Sequence, residues 1–128
     1  MIIDLTIIIV NYKSWSKLKN CIKSIQNQSH INTQIIVVDN FSNDNKLKHF
    51  QNKYNQVNWI ENKNNLGFAK ACNIGALKAE SKWLLFLNPD TILEKNSLSS
   101  LIKYSNSNKE HRLIGIKQLT LGKFVCLL

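Results

Sequence analysis

The sequence is poor in the residues and runs that mark the special classes of protein. Its 128 residues include one proline and four glycines, which excludes a collagen-like chain, and no repeat or low-complexity block divides it. The longest apolar runs, at 5–10 and 83–87, are much shorter than the ~20 residues that a membrane-spanning helix needs. A hydrophobic fraction of 44% excludes intrinsic disorder. We therefore expect one globular domain over residues 1–128.

Acidic residues and paired cysteines are also scarce. Lysine and arginine number 17 against 8 acidic residues, and the resulting charge of +9 attracts nucleic acid, anionic lipid headgroups or polyphosphate ligands without choosing among them. Cys21, Cys72 and Cys126 are widely spaced and form no zinc-binding pattern, so we expect reduced core residues. The N-terminus has no basic leader and carries Asp4, which argues against a signal peptide and predicts a cytoplasmic protein.

Strand-like and helix-like segments alternate along the chain. Residues 5–10, 35–39 and 83–87 are continuous apolar runs, typical of parallel strands covered on both faces, and 57–61 is a further strand. We expect a final strand at 113–116. The alternation predicts an α/β fold, a three-layer α/β/α sandwich with a mostly parallel sheet. The apolar end at 124–128 suggests that the domain is truncated.

Apolar residues recur at helical spacing between the strands, and Ser14 is a suitable N-cap for the first helix. A fourth helix is expected at 97–104. The apolar positions of the first three helices are Trp15, Leu18, Cys21, Ile22 and Ile25; Leu47, Phe50 and Tyr54; and Phe68, Cys72, Ala76 and Ala79. Lysines fall largely outside these positions, which is typical of a solvated helix face.

Polar residues follow each strand, where parallel α/β sheets bind ligands. A dinucleotide-binding fold would require GxGxxG directly after the first strand, but residues 11–15 contain no glycine, and no Walker A string exists. The residues expected at this edge are Asn11, Tyr12, Asp39, Asn40, Asn65, Gly67, Asn88 and Asp90. Read without other information, Asp39 caps a turn with Asn40 and Ser42, and Asp90 belongs to a Pro-Asp turn.

Four strings in order resemble the signatures of family 2 glycosyltransferases: IIVNY at 8–12, VVDN at 37–40, NLGF at 65–68 with NIG at 73–75, and LNPD at 87–90. The LNPD variant is similar to that of rhamnosyltransferase-like members, which build surface polysaccharides. The resemblance implies a GT-A fold, a UDP- or dTDP-linked sugar as donor, a divalent cation (Mn or Mg) and inverting transfer.

The resemblance also implies roles for individual residues. Asp39 would accept a hydrogen bond from the pyrimidine imide, framed by Asn11 and Tyr12, with Asn40 beside it. The string with Asn65 and Gly67 opens the third helix, whose N-terminus would face the diphosphate. The remaining assignments are Asn73 in the donor cleft, Asn88 on a ribose or phosphate, and Asp90 on the metal. Two alternatives stay open: Gly67 is a plain loop glycine, and Asn73 is a solvated helix residue.

A catalytic base is missing from these motifs. After Asp90 the only acidic residues are Glu94 and Glu110, and neither matches a motif of the family's acceptor half, so we assign no catalytic residue. We expect the acceptor-binding half to be absent, and an acceptor-half polypeptide or a homo-oligomer as partner. Contact with the inner face of the membrane is a further expectation. The alternatives are a catalytically incomplete nucleotide-sugar-binding remnant and, less favoured for want of any known motif, a basic nucleic-acid-binding module.

Overall fold

The computed structural model describes residues 1–115 and the backbone of two short strands beyond them. Strands and helices alternate through residue 107. The elements in chain order are β1 (Leu5–Asn11), α1 (Trp15–Gln26), β2 (Thr33–Asp39), α2 (Lys46–Lys53), β3 (Asn58–Glu61), α3 (Phe68–Ala76), β4 (Trp83–Leu87), α4 (Ser97–Ser107), β5 (Gln118–Leu119) and β6 (Lys123–Phe124). Every predicted strand up to residue 87 and every predicted helix is present.

The sheet has four strands in the order β3-β2-β1-β4, and all of them are parallel. Asn11 at the end of β1 lies beside Asp39 at the end of β2, which in turn lies beside Glu61. Since all the strands run the same way, their carboxyl ends meet at one edge. The short strands β5 and β6 form a separate antiparallel pair.

Helices cover both faces of the sheet. Ile7 and Ile9 of β1 face the larger core, which also contains Leu18 of α1, Phe50 of α2 and Leu98 of α4. The opposite face belongs to α3, whose Ala71 and Cys72 pack with Val10, Ile36 and Val38. Side chains alternate between the faces along each strand, as the period of two requires. The predicted three-layer α/β/α sandwich is confirmed.

Helix α3 lies unusually close to the sheet because of Gly75. A Cβ atom added to Gly75 would lie 2.6 Å from Cγ2 of Ile8 and 3.2 Å from Cγ2 of Val38. The buried face of α3 is therefore Ala71, Cys72 and Gly75. The predicted face through Phe68, Cys72, Ala76 and Ala79 is wrong in part: Phe68 is 56% exposed, and Ala79 lies beyond the end of the helix.

Two further local expectations need correction. Ser14 does occupy the N-cap position of α1, but its hydroxyl donates to the carbonyl oxygen of Tyr12 and not into the helix. The strand predicted at 113–116 is wrong as far as residue 115, because that segment is irregular and Leu113 is 94% exposed. Ile116 and residues 125–128, including Cys126, lie outside the described residues.

Strand β4 is covered less completely than its apolar sequence predicted. Leu85 and Leu87 face the large core, whereas Leu84 and Phe86, on the other face, are 39% and 47% exposed. The reason is that α3 packs on β1 and β2. Cys21 and Cys72 are buried free thiols, as predicted. Within the described residues, no helix has the length and apolarity to cross a bilayer.

Candidate functional site

The loops after the four strands together form a polar surface, here called the carboxyl edge (residues 11–14, 39–45, 62–67 and 88–91). The backbone already ties them together. The amide of Asn40 donates to the carbonyl oxygen of Asn11 over 2.8 Å, and the amide of Asn62 donates to that of Asp39 over 2.9 Å. These bonds extend the sheet pairing by one residue past the strand ends, so the loops after β1, β2 and β3 start from fixed positions.

Asp39 is a buried carboxylate at the centre of this edge, with 2% of its surface exposed. Its Oδ1 accepts hydrogen bonds from the side-chain amide of Asn11 (2.9 Å) and from the hydroxyl of Ser42. Its Oδ2 accepts one, from the backbone amide of Ser42 over 3.0 Å. A carboxylate oxygen accepts two hydrogen bonds, so Oδ2 keeps one acceptor position for a further donor.

From the sequence, Ser42 was expected only as part of the turn that Asp39 caps, and the structure gives it a further contact. It is 1% exposed, and besides its two bonds to Asp39 its hydroxyl oxygen accepts from the backbone amide of Lys13 over 2.8 Å. The side-chain amide of Asn11 also approaches it, at 3.4 Å. Ser42 therefore joins the loops after β1 and β2. The Asp-x-x-Ser spacing was the available signal, because Asp and Ser pair locally in turns.

Asn40 holds the loop before α3 with three side-chain hydrogen bonds. Its amide nitrogen donates to Oδ1 of Asn65 over 2.9 Å, while its Oδ1 accepts from the side chain of Asn62 (3.1 Å) and the backbone amide of Leu66 (3.0 Å). Asn40 itself is 3% exposed. The side chain therefore positions the loop, and one amide hydrogen has no partner among these bonds, so the predicted contact with the donor stays a prediction.

Gly67 is the N-cap residue of α3 and has φ +81°, a conformation that favours glycine. Its amide donates to Oδ1 of Asn65 over 3.0 Å, which links it to the Asn40 side chain. A Cβ atom added to Gly67 would have no neighbouring atom within 4 Å, so the space beside Gly67 is open. The start of α3 is therefore both fixed in position and accessible.

Asn88 and Asp90 lie at the end of β4 and are exposed. The carbonyl oxygen of Asn88 accepts from the thiol of Cys21 (3.7 Å) and from the backbone amide of Thr91 (3.1 Å), which anchors the turn to α1. Burial raises the pKa of the Cys21 thiol from 9.0 to about 12, and the negative charge of Asp90 adds to the increase. The side chains of Asn88 and Asp90 thus stand on a turn that an un-ionised thiol supports.

Tyr12 and Asn73 are the remaining predicted site residues, and both are exposed. Tyr12 is 47% exposed at the carboxyl edge, with Nζ of Lys13 5.4 Å from its ring centroid. Asn73 is exposed on α3, and no side-chain contact joins it to the other predicted residues. The structure therefore brings together Asn11, Asp39, Asn40, Asn65 and Gly67 in one network.

Metal-ligating groups are sparse. In the part of the chain that the structure describes, no three His, Cys, Asp or Glu side chains are grouped so that they could hold a metal ion. Asp90 offers a hard, exposed carboxylate of the kind that Mg²⁺ and Mn²⁺ prefer. It fits a metal as a single protein ligand, with the other positions left to water or to a bound phosphate.

A second surface lies along β4, where residues 83–86 line it. It is a cavity of about 840 Å³, here called the β4 groove. Its lining is mainly apolar. The ionisable side chains in the lining are two lysines, an arginine and a histidine. The residues include Trp83, Leu84, Phe86, Leu101, Ile102, Leu113 and Ile114, together with Lys82, Lys109, His111 and Arg112.

Comparison with known proteins identifies the family. The sequence model of the family described as Glycosyl transferase family 2 matches residues 6–116, which is most of the chain. The chain belongs to glycosyl transferase family 2. The match spans β1 to α4 and includes all four signature strings, so the family assignment made from those strings is confirmed.

Individual relatives in the family are much longer than this chain. A glycosyltransferase of Haemophilus influenzae is 28% identical over 113 residues, 86% of this chain and 35% of the relative. The glycosyltransferase GlyG of Streptococcus pneumoniae is 25% identical over 114 residues, 87% of this chain and 38% of the relative. The chain thus spans little more than a third of the length of these curated relatives.

Solved structures support the same fold. TarS 1-349 of S. aureus aligns with a TM-score of 0.74 and 22% identity, covering 91% of this chain and 36% of that protein. The same protein in complex with UDP-GlcNAc aligns with a TM-score of 0.74 and 23% identity. The predicted GT-A type of α/β fold is confirmed.

Proposed function

We propose that this chain is the donor-binding part of a family 2 glycosyltransferase, which binds a UDP- or dTDP-linked sugar for inverting, metal-dependent transfer in the synthesis of cell-surface polysaccharide. The observation that carries the proposal is the buried Asp39 with one unused acceptor position on Oδ2. The rhamnosyltransferase-like branch, and a location in the cytoplasm or at the inner face of the membrane, are parts of this proposal.

The base-binding step follows from the chemistry of Asp39. An ionised carboxylate only accepts hydrogen bonds, and the imide nitrogen of uracil and thymine carries a proton to donate, whereas the corresponding cytosine nitrogen does not. A buried acceptor with an unused position gains most from such a donor, because water reaches it poorly. Asn11 and Ser42 fix the carboxylate, so the base would meet a preorganised partner.

The diphosphate would lie in front of α3. The first amide hydrogens of a helix have no partner within it, and the helix dipole adds positive potential there. The open space at Gly67 lets a phosphate approach, and Lys13 and Lys63 contribute positive charge from neighbouring loops at the carboxyl edge. The two lysine charges would offset the two negative charges of the diphosphate.

A divalent cation would bind Asp90 together with the diphosphate oxygens. When bound, such an ion stabilises negative charge on the departing diphosphate. Asn88 leaves one fewer negative charge at this turn than a second aspartate would, so we expect weak metal affinity in the protein alone. Asp90 itself needs no rearrangement, since its side chain is already exposed at the carboxyl edge.

The acceptor half would complete the enzyme. Inverting transfer needs a base for the acceptor hydroxyl, and Glu94 and Glu110 stand in none of the matched strings. We propose that the polypeptide supplying this half, in the same chain or as a partner, packs on the β4 groove. Its apolar floor and the exposed Phe86 suit a polypeptide that extends the sheet. A nucleotide-sugar-binding remnant is the second candidate, favoured by the same lack of a base.

The test is calorimetric titration of the chain with UDP, dTDP and CDP, each with and without Mn²⁺. UDP and dTDP should bind more tightly than CDP. Asp39→Asn removes the negative charge of the acceptor and should weaken UDP about tenfold, because a hydrogen bond to a charged acceptor is about twice as strong as one to a neutral amide. Asp4→Asn removes the same charge at the other end of β1 and should change nothing.

The metal part of the proposal has its own variant. Asp90→Asn should abolish the strengthening of UDP binding by Mn²⁺ and leave binding without metal unchanged. If wild-type protein binds none of the nucleotides, or if Asp39→Asn binds UDP as the wild type does, the donor-site proposal is wrong. To separate enzyme from remnant, sugar transfer is measured for the chain together with an acceptor half; its absence in every such pairing favours the remnant.

A further inference from the structure

Phe41 has an unusual backbone conformation for a bulky residue and an exposed aromatic side chain. Its φ is +67°, in the left-handed region that bulky side chains rarely adopt, and 39% of its surface is exposed. It lies at the carboxyl edge, two residues after Asp39. Strained residues persist where surrounding contacts impose the conformation, and they are concentrated at functional sites.

The neighbours of Phe41 explain why its backbone is held. Asn40 on one side is fixed by the bonds to Asn62, Asn65 and Leu66, and Ser42 on the other is fixed by Asp39 and Lys13. The backbone at position 41 must connect two buried anchors. Glycine would adopt this φ without strain, so the conformation does not account for a phenylalanine.

Packing does not account for the phenylalanine either. Phe41 belongs to neither hydrophobic core of the sheet. Its side chain is instead partly exposed, on a backbone that lies two residues after the buried Asp39. An exposed aromatic ring on a fixed backbone is a suitable contact surface for another planar group.

Tyr12 provides a second exposed ring on the adjoining loop. It stands between Asn11 and Lys13, and both of these residues contact the hydroxyl of Ser42, which directly follows Phe41. The hydrogen bonds of Ser42 therefore hold the backbone segments of Tyr12 and Phe41 close to each other and to Asp39. Base–aromatic stacking needs only a ring that is accessible and held in place.

We infer that Phe41 contacts the base or ribose of the bound nucleotide and acts with Tyr12 as an aromatic boundary of the site at Asp39. This inference rests on the proposed function. It gives Phe41 a role in nucleotide affinity and explains why a strained position carries a large apolar side chain.

The experiment compares UDP and inorganic pyrophosphate as calorimetric probes on wild type, Phe41→Gly and Phe41→Leu. Phe41→Gly should weaken UDP about 5- to 100-fold, as the loss of one aromatic–base contact predicts. Pyrophosphate affinity should not change, because that probe has no base. The melting temperature of Phe41→Gly should stay the same or rise, because glycine relieves the strain. Phe41→Leu should weaken UDP by less than Phe41→Gly.

Leu77→Gly is the matched control, since Leu77 is 85% exposed, lies at the C-cap of α3 and is also replaced by glycine. It should leave UDP affinity unchanged. Unchanged UDP affinity in Phe41→Gly, with Asp39→Asn still impaired, overturns the inference about Phe41 and leaves the donor site standing. A lower melting temperature with unchanged affinity would show that Phe41 serves the fold. If wild type binds no UDP, both proposals fail together.

Discussion

The carboxyl edge and the β4 groove are two surfaces of the same sheet, built in opposite ways. At the carboxyl edge, polar side chains are buried and paired: Asp39, Asn40 and Ser42 are each no more than 3% exposed. At the β4 groove, large apolar side chains are exposed, with Phe86 at 47% and Leu113 at 94%. The usual distribution of polar and apolar groups is reversed at both surfaces.

The difference indicates two kinds of recognition. Buried polar groups that have hydrogen-bond partners avoid most of the desolvation penalty, and they present a rigid set of donors and acceptors. Such a set suits a small polar ligand. An exposed apolar groove gains free energy only when another apolar surface covers it, which suits a polypeptide. The two surfaces differ in this way within one sheet, and the binding roles proposed for them rest on that difference.

The largest expected effect is at the carboxyl edge. Asn40→Ala removes three side-chain hydrogen bonds and leaves the buried amide of Asn62 without its acceptor, so we expect a loss of about 2–3 kcal/mol in unfolding free energy. Urea denaturation measures this. Asn73→Ala, at an exposed position of α3, is the control and should change stability little. Equal stability of the two variants would show that the polar network is not what fixes this edge.

A second variant tests the packing of α3 on the sheet, which fixes the start of α3 at the carboxyl edge. Gly75→Ala places a methyl group 2.6 Å from the branched, buried side chain of Ile8, so α3 must move away from the sheet. We expect a loss of about 1–3 kcal/mol, typical of overpacking. Thermal denaturation followed by circular dichroism measures it. A variant as stable as wild type would mean that α3 is free to shift, and the start of α3 would not be a fixed site.

The third prediction concerns Cys21, which joins α1 to the turn after β4. Its thiol pKa is raised in the folded chain from 9.0 to about 12, so above pH 9 the unfolded chain loses the proton first. Stability should therefore be complete below pH 9 and fall as the pH rises towards 12, by at most about 1.4 kcal/mol per pH unit from this group. Urea denaturation at pH 8, 9 and 10 measures the slope.

Cys21→Ala is the comparison for that slope. It lowers stability at every pH by removing a buried side chain, but it should lose less on going from pH 8 to pH 10 than wild type does. The same slope in both proteins would mean that Cys21 ionises in the folded state as easily as in the unfolded chain.

The smallest effect is expected at the β4 groove. Phe86→Ser replaces a side chain that is already half exposed to water, so the unfolding free energy should fall by about 1 kcal/mol. The measurement is urea denaturation beside Asn40→Ala. A loss above about 2 kcal/mol would show that Phe86 is covered in solution, and the contrast between the two surfaces would disappear.

Much of the fold and part of the site could be predicted from the sequence. Apolar runs at 5–10, 35–39 and 83–87 indicated buried parallel strands because such strands are covered on both faces. Parallel strands bring their carboxyl ends together, so the strand pattern alone was enough to place Asn11 and Asp39 at one edge. The signature strings then indicated the family, and the match over residues 6–116 agrees.

Other features could not be predicted because they depend on contacts between distant residues. The side chain of Asn40 was expected at the ligand, but its three partners come from a loop more than twenty residues away. The close approach at Gly75 fixes the rotation of α3 and leaves Asn73 exposed, and its expected place in the donor cleft stays a prediction. The roles of the predicted site residues towards a ligand stay predictions.

The sequence by itself determined the α/β alternation and the parallel sheet, because these follow from local patterns of apolar and polar residues along the chain. Its four signature strings indicated the family by resemblance. Only the tertiary structure decided that Ser42 joins two loops at Asp39, that Phe41 is held in a strained and exposed conformation, and that β4 carries an apolar groove. The physical reason is that hydrogen bonds across loops and the coverage of a sheet depend on three-dimensional proximity, which the order of residues does not specify.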